Sequence, residues 1–170
     1  MTTDHKIVTY AGLHRKLSRI RKGKTVVVVT GTFDLLHAGH LMFFNQAKKQ
    51  GDILIVGIGS DRTIRMHAKG KGRPILPHTL RARLVAGFEV VDFVVILDED
   101  IVDKMGGRVF LKSLKADKWV VPFKNHNPAG DIKFAKEIGT KLVQLPRIKP
   151  NKVDFPLSTS YIIEKIKKTT

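Results

Sequence analysis

One stretch of this sequence constrains its fold more than any other: residues 25–30, an apolar run with four consecutive valines that stops at Gly31. Branched side chains in an unbroken apolar run are typical of a strand that is buried on both faces of a parallel sheet. Residues 41–49 lack glycine and proline and predict a helix. The apolar stripe of this helix is formed by Leu41, Phe44 and Ala47.

The junction between this strand and this helix predicts a phosphate site. A helix that begins at the carboxyl edge of a parallel sheet directs free N–H groups and the positive end of its dipole toward a ligand. His37 and His40 lie three residues apart, on one side of the first turn, where both can reach the same anion. Gly39 leaves room for a nucleotide to lie against the backbone.

The remaining chain alternates between strand and helix patterns. We predict strands at residues 26–30, 53–58, 93–97, 118–121 and 141–145, and helices at about 11–22, 40–50, 77–88, 101–114, 131–138 and 160–168. Strands separated by helices imply a parallel sheet covered on both faces. We therefore expect a Rossmann-like three-layer α/β/α domain with a five-stranded parallel sheet and an N-terminal basic helix, which should dock through Leu13, Leu17 and Ile20.

Length and composition limit the class of protein. With 170 residues, 42% of them hydrophobic, residues 1–170 are expected to form one domain, with a leader helix in 1–24 and a catalytic core in 25–170. No apolar run approaches the roughly 18 residues that span a bilayer, and no secretory signal opens the sequence. The absence of cysteine excludes disulfides and thiolate catalysis. We expect a cytoplasmic protein with no membrane partner.

The net charge of +16 is the unusual compositional feature. A basic surface attracts phosphorylated metabolites and polyanions alike, so nucleic-acid binding is possible. A solvated basic surface is the preferred interpretation, because the charge is spread over the chain and no arginine-rich repeat alternates with aromatics. The densest group of cations, in the leader helix and its exit, consists of Arg15, Lys16, Arg19, Arg21, Lys22 and Lys24.

Residues 31–40, Gly-Thr-Phe-Asp-Leu-Leu-His-Ala-Gly-His, resemble the His-x-Gly-His signature of the cytidylyltransferase-like nucleotidyltransferases. Further blocks follow in that family's order, so the resemblance covers about the whole chain. These blocks are residues 51–58 with Ser60-Asp61, then 69–75, 81–83, 90–92, 98–100 and 158–160. The leader helix and the Gly-Arg-Pro block at residues 72–74 resemble the adenylyltransferase domain that makes ADP-heptose from heptose 1-phosphate.

This resemblance implies roles for the residues of the first motif. His37 and His40 would contact the phosphates of a nucleoside triphosphate and stabilise charge on the α-phosphoryl group as it is attacked. Backbone contacts to phosphate would come from Gly31, Thr32 and Phe33, and Asp34 would order the turn. Core packing explains Phe33 equally well.

The resemblance also implies a second phosphate-binding segment near the end of the chain. Ser158, Thr159 and Ser160 would present N–H and O–H donors to the β and γ phosphates from the start of the last helix. An ordinary helix cap is the alternative interpretation. Arg147 is a further candidate for phosphate binding, with a solvated loop residue as its alternative.

Residues 69–73 contain three cations among glycines and suggest a basic loop over the site. By the resemblance, Lys71 would take part in catalysis, while Lys69 and Arg73 would bind the phosphate of the acceptor and screen the repulsion between two anions. Arg81 matches a family position and is assigned to the acceptor as well. The ordinary alternative for residues 69–73 is a solvated basic loop. Arg83, on the same predicted helix as Arg81, is interpreted as a surface residue.

Two departures from the family pattern bear on the substrate. Where the family carries a Gly-Asp pair after the fourth strand, this chain has Pro122-Phe123-Lys124 and continues to Asn127. This change leaves open a different acceptor, a different nucleotide or loss of turnover. Glu89 replaces the arginine that glycerol-phosphate cytidylyltransferases carry before the Val-Asp pair, which argues against their acceptor.

The sequence therefore predicts a nucleotidyltransferase that joins a nucleoside monophosphate from ATP or CTP to a small phosphorylated acceptor and releases pyrophosphate. Adenylyl transfer to a sugar 1-phosphate is favoured over cytidylyl transfer to an alcohol phosphate such as glycerol 3-phosphate. Mg²⁺ is expected on the triphosphate oxygens, with its protein ligands unknown. The resemblance also suggests a homodimer. A non-catalytic nucleotide-binding or RNA-binding protein on the same fold is the alternative from a different class.

Overall fold

The computed structural model describes residues 3–67, 72–98, 107–123, 128–146 and 158–169. The strands are β1 (Val26–Gly31), β2 (Ile53–Gly59), β3 (Phe93–Leu97), β4 (Lys118–Val121) and β5 (Lys141–Gln144). The helices are α1 (Tyr10–Ile20), α2 (Ala38–Lys48), α3 (Asp61–His67), α4 (His78–Ala86), α5 (Arg108–Leu114), α6 (Pro128–Glu137) and α7 (Thr159–Thr169), and a short 3-10 turn at Asp4–Lys6 precedes them.

The five strands form one sheet in the order β3-β2-β1-β4-β5, and every pair of neighbours is parallel. This confirms the prediction of a Rossmann-like α/β fold with a five-stranded parallel sheet. The chain moves outward from β1 to β3 and then returns to the other side of β1 at β4. Open α/β sheets bind ligands outside the carboxyl ends of the strands at such a reversal, and the motif at residues 31–40 follows β1 directly.

Helices cover both faces of the sheet. On one face, α1, α5 and α6 contribute buried apolar side chains to a cluster with the strands. On the other face, α2 and α4 do the same. The predicted stripe of α2 was partly wrong, because Leu41 is 44% exposed while its neighbour Phe43 is buried with Phe44 and Ala47.

The predicted helix boundaries differ from the structure in several places. The sequence analysis missed α3, a helix of seven residues that is too short to show a helical period. The helices α2 and α6 begin two and three residues before their predicted starts, at Ala38 and Pro128. Of the helix predicted at residues 101–114, the part that falls within the described residues forms α5.

The leader helix α1 is part of the domain. Thr9 caps its start by accepting a hydrogen bond at Oγ1 from the backbone of Gly12. Leu13 and Leu17 are buried in the core, whereas Ile20, the third member of the predicted stripe, is 38% exposed. Before this helix, Val8 donates a backbone hydrogen bond to Val94 at the outer edge of β3, so the sheet edge is partly covered.

Aspartates fix the strands at the amino edge of the sheet. Each lies directly before a strand and accepts a hydrogen bond from the backbone at the start of the neighbouring strand. The pairs are Thr25 with Asp52, Leu54 with Asp92 and Val26 with Asp117, each at 2.7 Å. Lys48 adds an ion pair to Asp92 at 2.5 Å. These carboxylates therefore hold the strands in register on the side of the sheet opposite the motif.

Among the described residues, no helix has both the length and the apolar character that crossing a bilayer requires.

The packing of α1 leads to a stability prediction. Leu13→Ala should lower the free energy of unfolding by about 2–5 kcal/mol, because it leaves a cavity in a filled core. Ile20→Ala in the same helix is the matched control and should cost roughly 1 kcal/mol or less, since that side chain remains partly in water. Urea unfolding followed by circular dichroism measures both. Equal losses would show that α1 does not dock as described.

Candidate functional site

The loop from β1 to α2 has a strained backbone. Phe33 and Leu35 have φ angles of 50° and 45°, in the left-handed region that costs side-chain-bearing residues about 1–2 kcal/mol each. The ring of Phe33 folds back over Gly31 and lies 2.9 Å from the position that a Cβ atom would take there. Gly31 is therefore required by this close contact, and the Phe33 side chain packs as a core residue that is 6% exposed.

Asp34 connects the motif to the segment that precedes α4. Its carboxylate has no exposed surface and accepts hydrogen bonds from the backbone N–H groups of Ile75 and Leu76, at 2.9 and 3.0 Å. Nε of Arg73 lies 3.1 Å from the same carboxylate. These contacts connect the strained loop to the segment before α4, and hydrogen bonds to a buried carboxylate help to offset the cost of its backbone conformation.

The two motif histidines form a stacked pair at the start of α2. Their ring centroids are 3.9 Å apart, with an interplanar angle of 29°. The backbone N–H of His37 donates to Nδ1 of His40 at 3.4 Å. A neutral imidazole that accepts at Nδ1 carries its proton at Nε2, so this contact assigns the tautomer in which His40 offers an N–H donor at Nε2.

Burial controls the charge of this pair. The pKa of His40 is lowered to about 4, first by burial and then by the charge of His37. Burial also lowers the pKa of His37. At neutral pH, His40 is therefore an uncharged hydrogen-bond donor in the free protein. Fixed donors of this kind stabilise charge that develops in a transition state without having to reorganise.

Arg81 connects the carboxyl ends of β1 and β2 to the start of α3 and to the segment before α4. Its side chain is 0% exposed. The guanidinium donates to the carbonyl oxygens of Thr32, Gly59 and Leu76 and to the carboxylate of Asp61. These hydrogen bonds use four of the five N–H groups of the guanidinium. Arg81 therefore lies beneath the site, and it has no exposed surface that an acceptor substrate could contact.

Asp61 lies between Arg81 and His78. One carboxylate oxygen accepts from Arg81 at 2.7 Å, and the other lies 3.2 Å from Nδ1 of His78. Burial would raise the pKa of Asp61, but the Arg81 hydrogen bond and the charges of His78 and Arg81 outweigh it, so the pKa lies below its usual value. Asp61 therefore stays ionised, and it holds His78 at the start of α4.

The last helix begins against the same motif. The hydroxyl of Thr159 donates to the backbone carbonyl of Asp34 at 2.9 Å. Ser158 caps α7 by accepting a hydrogen bond at Oγ from the backbone of Tyr161, and Ser160 is exposed. The structure thus brings this segment to the histidine motif, although residues 125 positions apart in sequence form the contact.

The sequence profile described as cytidylyltransferase-like matches residues 28–165. The chain belongs to the cytidylyltransferase-like family.

Relatives support this membership. The chain is 39% identical to the bifunctional protein HldE of Campylobacter fetus subsp. fetus over 149 residues, or 86% of this chain and 29% of that protein. It is 32% identical to the bifunctional protein HldE of Citrifermentans bemidjiense over 171 residues, which covers 96% of this chain and 32% of the relative. The chain therefore spans about a third of the length of these relatives.

Solved structures show the same fold. The lipopolysaccharide core biosynthesis protein from Thermoplasma volcanium aligns with a TM-score of 0.63 and 28% identity, over 75% of this chain and all of that one. The pantoate-beta-alanine ligase from Francisella tularensis aligns with a TM-score of 0.57 and 17% identity, over 85% of this chain and 68% of that one. At that identity, the second likeness concerns the fold alone.

Several residues assigned from the sequence lie outside the described part of this cytidylyltransferase-like chain. They are Lys69, Lys71, Arg147 and Lys124 with the rest of residues 124–127. Their roles stay predictions. Gly39 lies in the first turn of α2 between the histidines, and Arg73 is near Asp34 as described above.

Sequence reasoning missed two polar features of the site. His78 belongs to no recognisable motif, and its contact with Asp61 forms only when α3 and α4 fold against each other. Ser60 donates at 2.9 Å to Asp98 after β3 and contacts Thr63 in α3. The pair Ser60-Asp61 was visible in the sequence as one of the family's blocks. The hydrogen bonds that these two residues make to other elements were not visible there.

The pKa of His40 leads to a prediction on pH. Between the usual value of 6.5 and the folded value of about 4, the unfolded chain binds the proton and the folded chain does not. Stability should therefore be unaffected above that window and fall as the pH drops through it. An NMR titration of the ring protons should give the low pKa, and His40→Asn should reduce the loss of stability. His14→Asn, on the other face of the sheet, is the control. An ordinary titration of His40 would contradict the burial.

The arrangement around Arg81 leads to a second prediction. Arg81→Met should lower the free energy of unfolding by about 3–5 kcal/mol, because it removes the donor shared by the Asp61 carboxylate and three backbone carbonyl oxygens. Arg83→Met on the same helix should change stability by about 0.5 kcal/mol or less, since that side chain is 68% exposed. Thermal and urea unfolding measure both variants, and a small effect of the Arg81 change would show that the network is dispensable.

Proposed function

We propose that this protein transfers a nucleoside monophosphate from ATP or CTP to a small phosphorylated acceptor and releases pyrophosphate. The observation that carries this proposal is the stacked pair of His37 and His40 at the start of α2, on a strained loop where the strand order reverses. Residues 1–170 would act as one nucleotidyltransferase domain. Family membership supports the reaction class, while the geometry indicates how the residues would serve it.

The reaction needs positioning more than covalent chemistry from the protein. An oxygen of the acceptor's phosphate attacks the α-phosphorus in line, a new P–O bond forms, and the bond to the bridging oxygen of pyrophosphate breaks. The α2 N-terminus and the Nε2–H of His40 would stabilise the charge on the α-phosphoryl oxygens. The backbone N–H groups of Ser158, Thr159 and Ser160 at the start of α7, with the exposed hydroxyl of Ser160, would bind the β and γ phosphates.

A sugar 1-phosphate is the favoured acceptor, and ATP the favoured donor. The relatives named HldE and the lipopolysaccharide core biosynthesis protein support a sugar phosphate. Glu89 is exposed in the connection between α4 and β3, near the amino edge of the sheet and on the side opposite the motif, so its charge does not bear on the acceptor. Lys69, Lys71 and Arg73 would act on the acceptor and the triphosphate, and a homodimer is proposed as the assembly.

Mg²⁺ would accompany the triphosphate. Within the described ranges, no group of three or more His, Asp or Glu side chains is arranged to hold a metal ion. Asp34 and Asp61, the carboxylates nearest the motif, are already bonded to Ile75, Leu76 and Arg81. These residues fit an ion held mainly by phosphate oxygens and water, which is how proteins commonly bind magnesium with nucleotides. The bound ion would neutralise charge on the triphosphate.

The test is pyrophosphate release with Mg²⁺, ATP or CTP, and a panel of sugar 1-phosphates and alcohol phosphates. We expect turnover with one nucleotide and one acceptor, and a loss of about 10²–10³-fold in kcat for His40→Ala, the size seen when one fixed donor to a developing charge is removed. His14→Ala, on α1, should keep the activity of the parent chain.

The rival function, a non-catalytic binder of nucleotides or RNA, makes the opposite prediction. It gains some support from Arg15, Lys16 and Arg19, which line a shallow depression on α1 together with Gly12. No pyrophosphate release across the panel, with salt-sensitive RNA binding by the same preparation, would replace the enzymatic proposal with this one.

A further inference from the structure

We propose that His78 binds the phosphate group of the acceptor and that Asp61 and Arg81 position its ring for this contact. The inference rests on the proposed function and adds a residue that lies outside the family's motif blocks. His78 is the first residue of α4, directly after the N-cap residue Pro77. Its side chain is 35% exposed, so it lies at the rim of the site and can contact a ligand.

The ring of His78 faces Asp61. Its buried Nδ1 atom lies 3.2 Å from one oxygen of that carboxylate, at ion-pair distance but without a well-aligned hydrogen bond. A carboxylate that faces one ring nitrogen of a histidine directs the other nitrogen to a ligand. Nε2 is therefore the atom of His78 that can meet a phosphate oxygen.

A series of buried contacts connects Asp61, and through it the ring of His78, to the histidine motif. Asp61 accepts a hydrogen bond from Arg81 at 2.7 Å, and the same guanidinium donates to the carbonyl of Thr32. Thr32 belongs to the motif that contains His37 and His40. Since Arg81 is 0% exposed, water does not compete for these contacts, and the position of the His78 ring depends on the position of the motif.

A second connection fixes the backbone of His78. Leu76, two residues earlier, donates its N–H to Asp34 at 3.0 Å and accepts a hydrogen bond from Nε of Arg81 at 2.9 Å. The segment before α4 is therefore bound to the motif through both a carboxylate and a guanidinium. Preorganised groups of this kind lose little entropy when they bind a ligand.

The helices α2 and α4 bring their first turns to the same edge of the sheet. Both contribute to one apolar cluster, and Phe44 of α2 lies 5.2 Å from Phe88, which follows α4. Each helix precedes a parallel strand, so each begins at the carboxyl edge. His78 and the two motif histidines therefore lie in the first turns of helices that begin at the same edge and on the same face of the sheet.

The two arginines near His78 in the described part of the chain already have carboxylate partners, so His78 is the group proposed to bind the acceptor's phosphate. Arg81 has no exposed surface, and Arg73 approaches Asp34 through Nε. An acceptor phosphate that attacks a triphosphate must be held against electrostatic repulsion. With Nδ1 toward Asp61, Nε2 of His78 is left to contact the acceptor's phosphate, and the cationic form of the ring would donate there and compensate part of this charge.

The kinetic test uses the acceptor identified by pyrophosphate release. His78→Gln should raise the KM for the acceptor about tenfold while kcat and the KM for the nucleotide change less than about twofold, because the contact is made to one substrate only. His78→Arg should keep the KM within about threefold of the parent value, since it restores a cationic donor. Thr79→Ala, an exposed change in the same turn, is the matched control.

Asp61→Asn separates positioning from simple stability. It keeps the shape of the side chain but removes the charge that orients His78, and it should raise the acceptor KM in the same direction as His78→Gln at a temperature where the variant is fully folded. Thermal unfolding of each variant identifies that temperature. An unchanged acceptor KM in folded His78→Gln, with turnover intact, would overturn the proposal and leave the nucleotidyltransferase function in place.

A binding test does not depend on turnover. In the protein labelled at its histidines, the ring signal of His78, identified by its loss in His78→Gln, should shift and saturate as inorganic phosphate is added at millimolar concentrations. The same titration decides the proposal if no acceptor in the panel supports turnover. A His78 signal that does not respond to phosphate would then overturn it, whereas a saturating shift would keep the phosphate contact and reject only the proposed reaction.

Discussion

The site depends on one buried cation. Arg81 joins the carbonyls at the ends of β1 and β2 to the start of α3 and to the segment before α4. An arginine without exposed surface is stable only when its charge and its N–H groups have partners, and Asp61 and three carbonyl oxygens supply them here. Because these partners come from three segments of the chain, around residues 32, 59–61 and 76, the guanidinium fixes the carboxyl edge of the sheet as a single rigid unit.

This rigidity explains how the protein maintains a strained loop. Phe33 and Leu35 are in the left-handed region of backbone space, which would relax in an isolated peptide. The carboxylate of Asp34 accepts a hydrogen bond from Leu76, whose carbonyl accepts from Arg81, and the carbonyl of Thr32 accepts from Arg81 directly. The cost of the strain is offset by those hydrogen bonds. The result is a fixed start of α2, where His37 and His40 stack and His40 is kept neutral by burial.

The sequence predicted the sheet well and the helix packing less well. Buried parallel strands are apolar on both faces, so β1 and β2 were visible as continuous runs. One of the three predicted members of the α2 stripe was wrong, because Leu41 and Phe43 are both apolar and only Phe43 is buried. The helix α3 is too short for a periodic signal. The motif at residues 31–40 was recognisable because its glycine and histidines have local roles. Arg81 was recognisable only as a family position, and its burial depends on four hydrogen-bond acceptors, three of which lie 20 or more residues away in sequence.

The sequence by itself determined the order of strands and helices, the basic character of the chain and the histidine motif, because each depends on residues that are neighbours in the chain. Only the tertiary structure decided which charges face a ligand. It buried Arg81, paired Arg73 with Asp34 and placed His78 against Asp61. The physical reason is that solvation and charge pairing depend on groups far apart in sequence. The same arginine is a surface cation or an internal connector according to how the strands and helices around it pack.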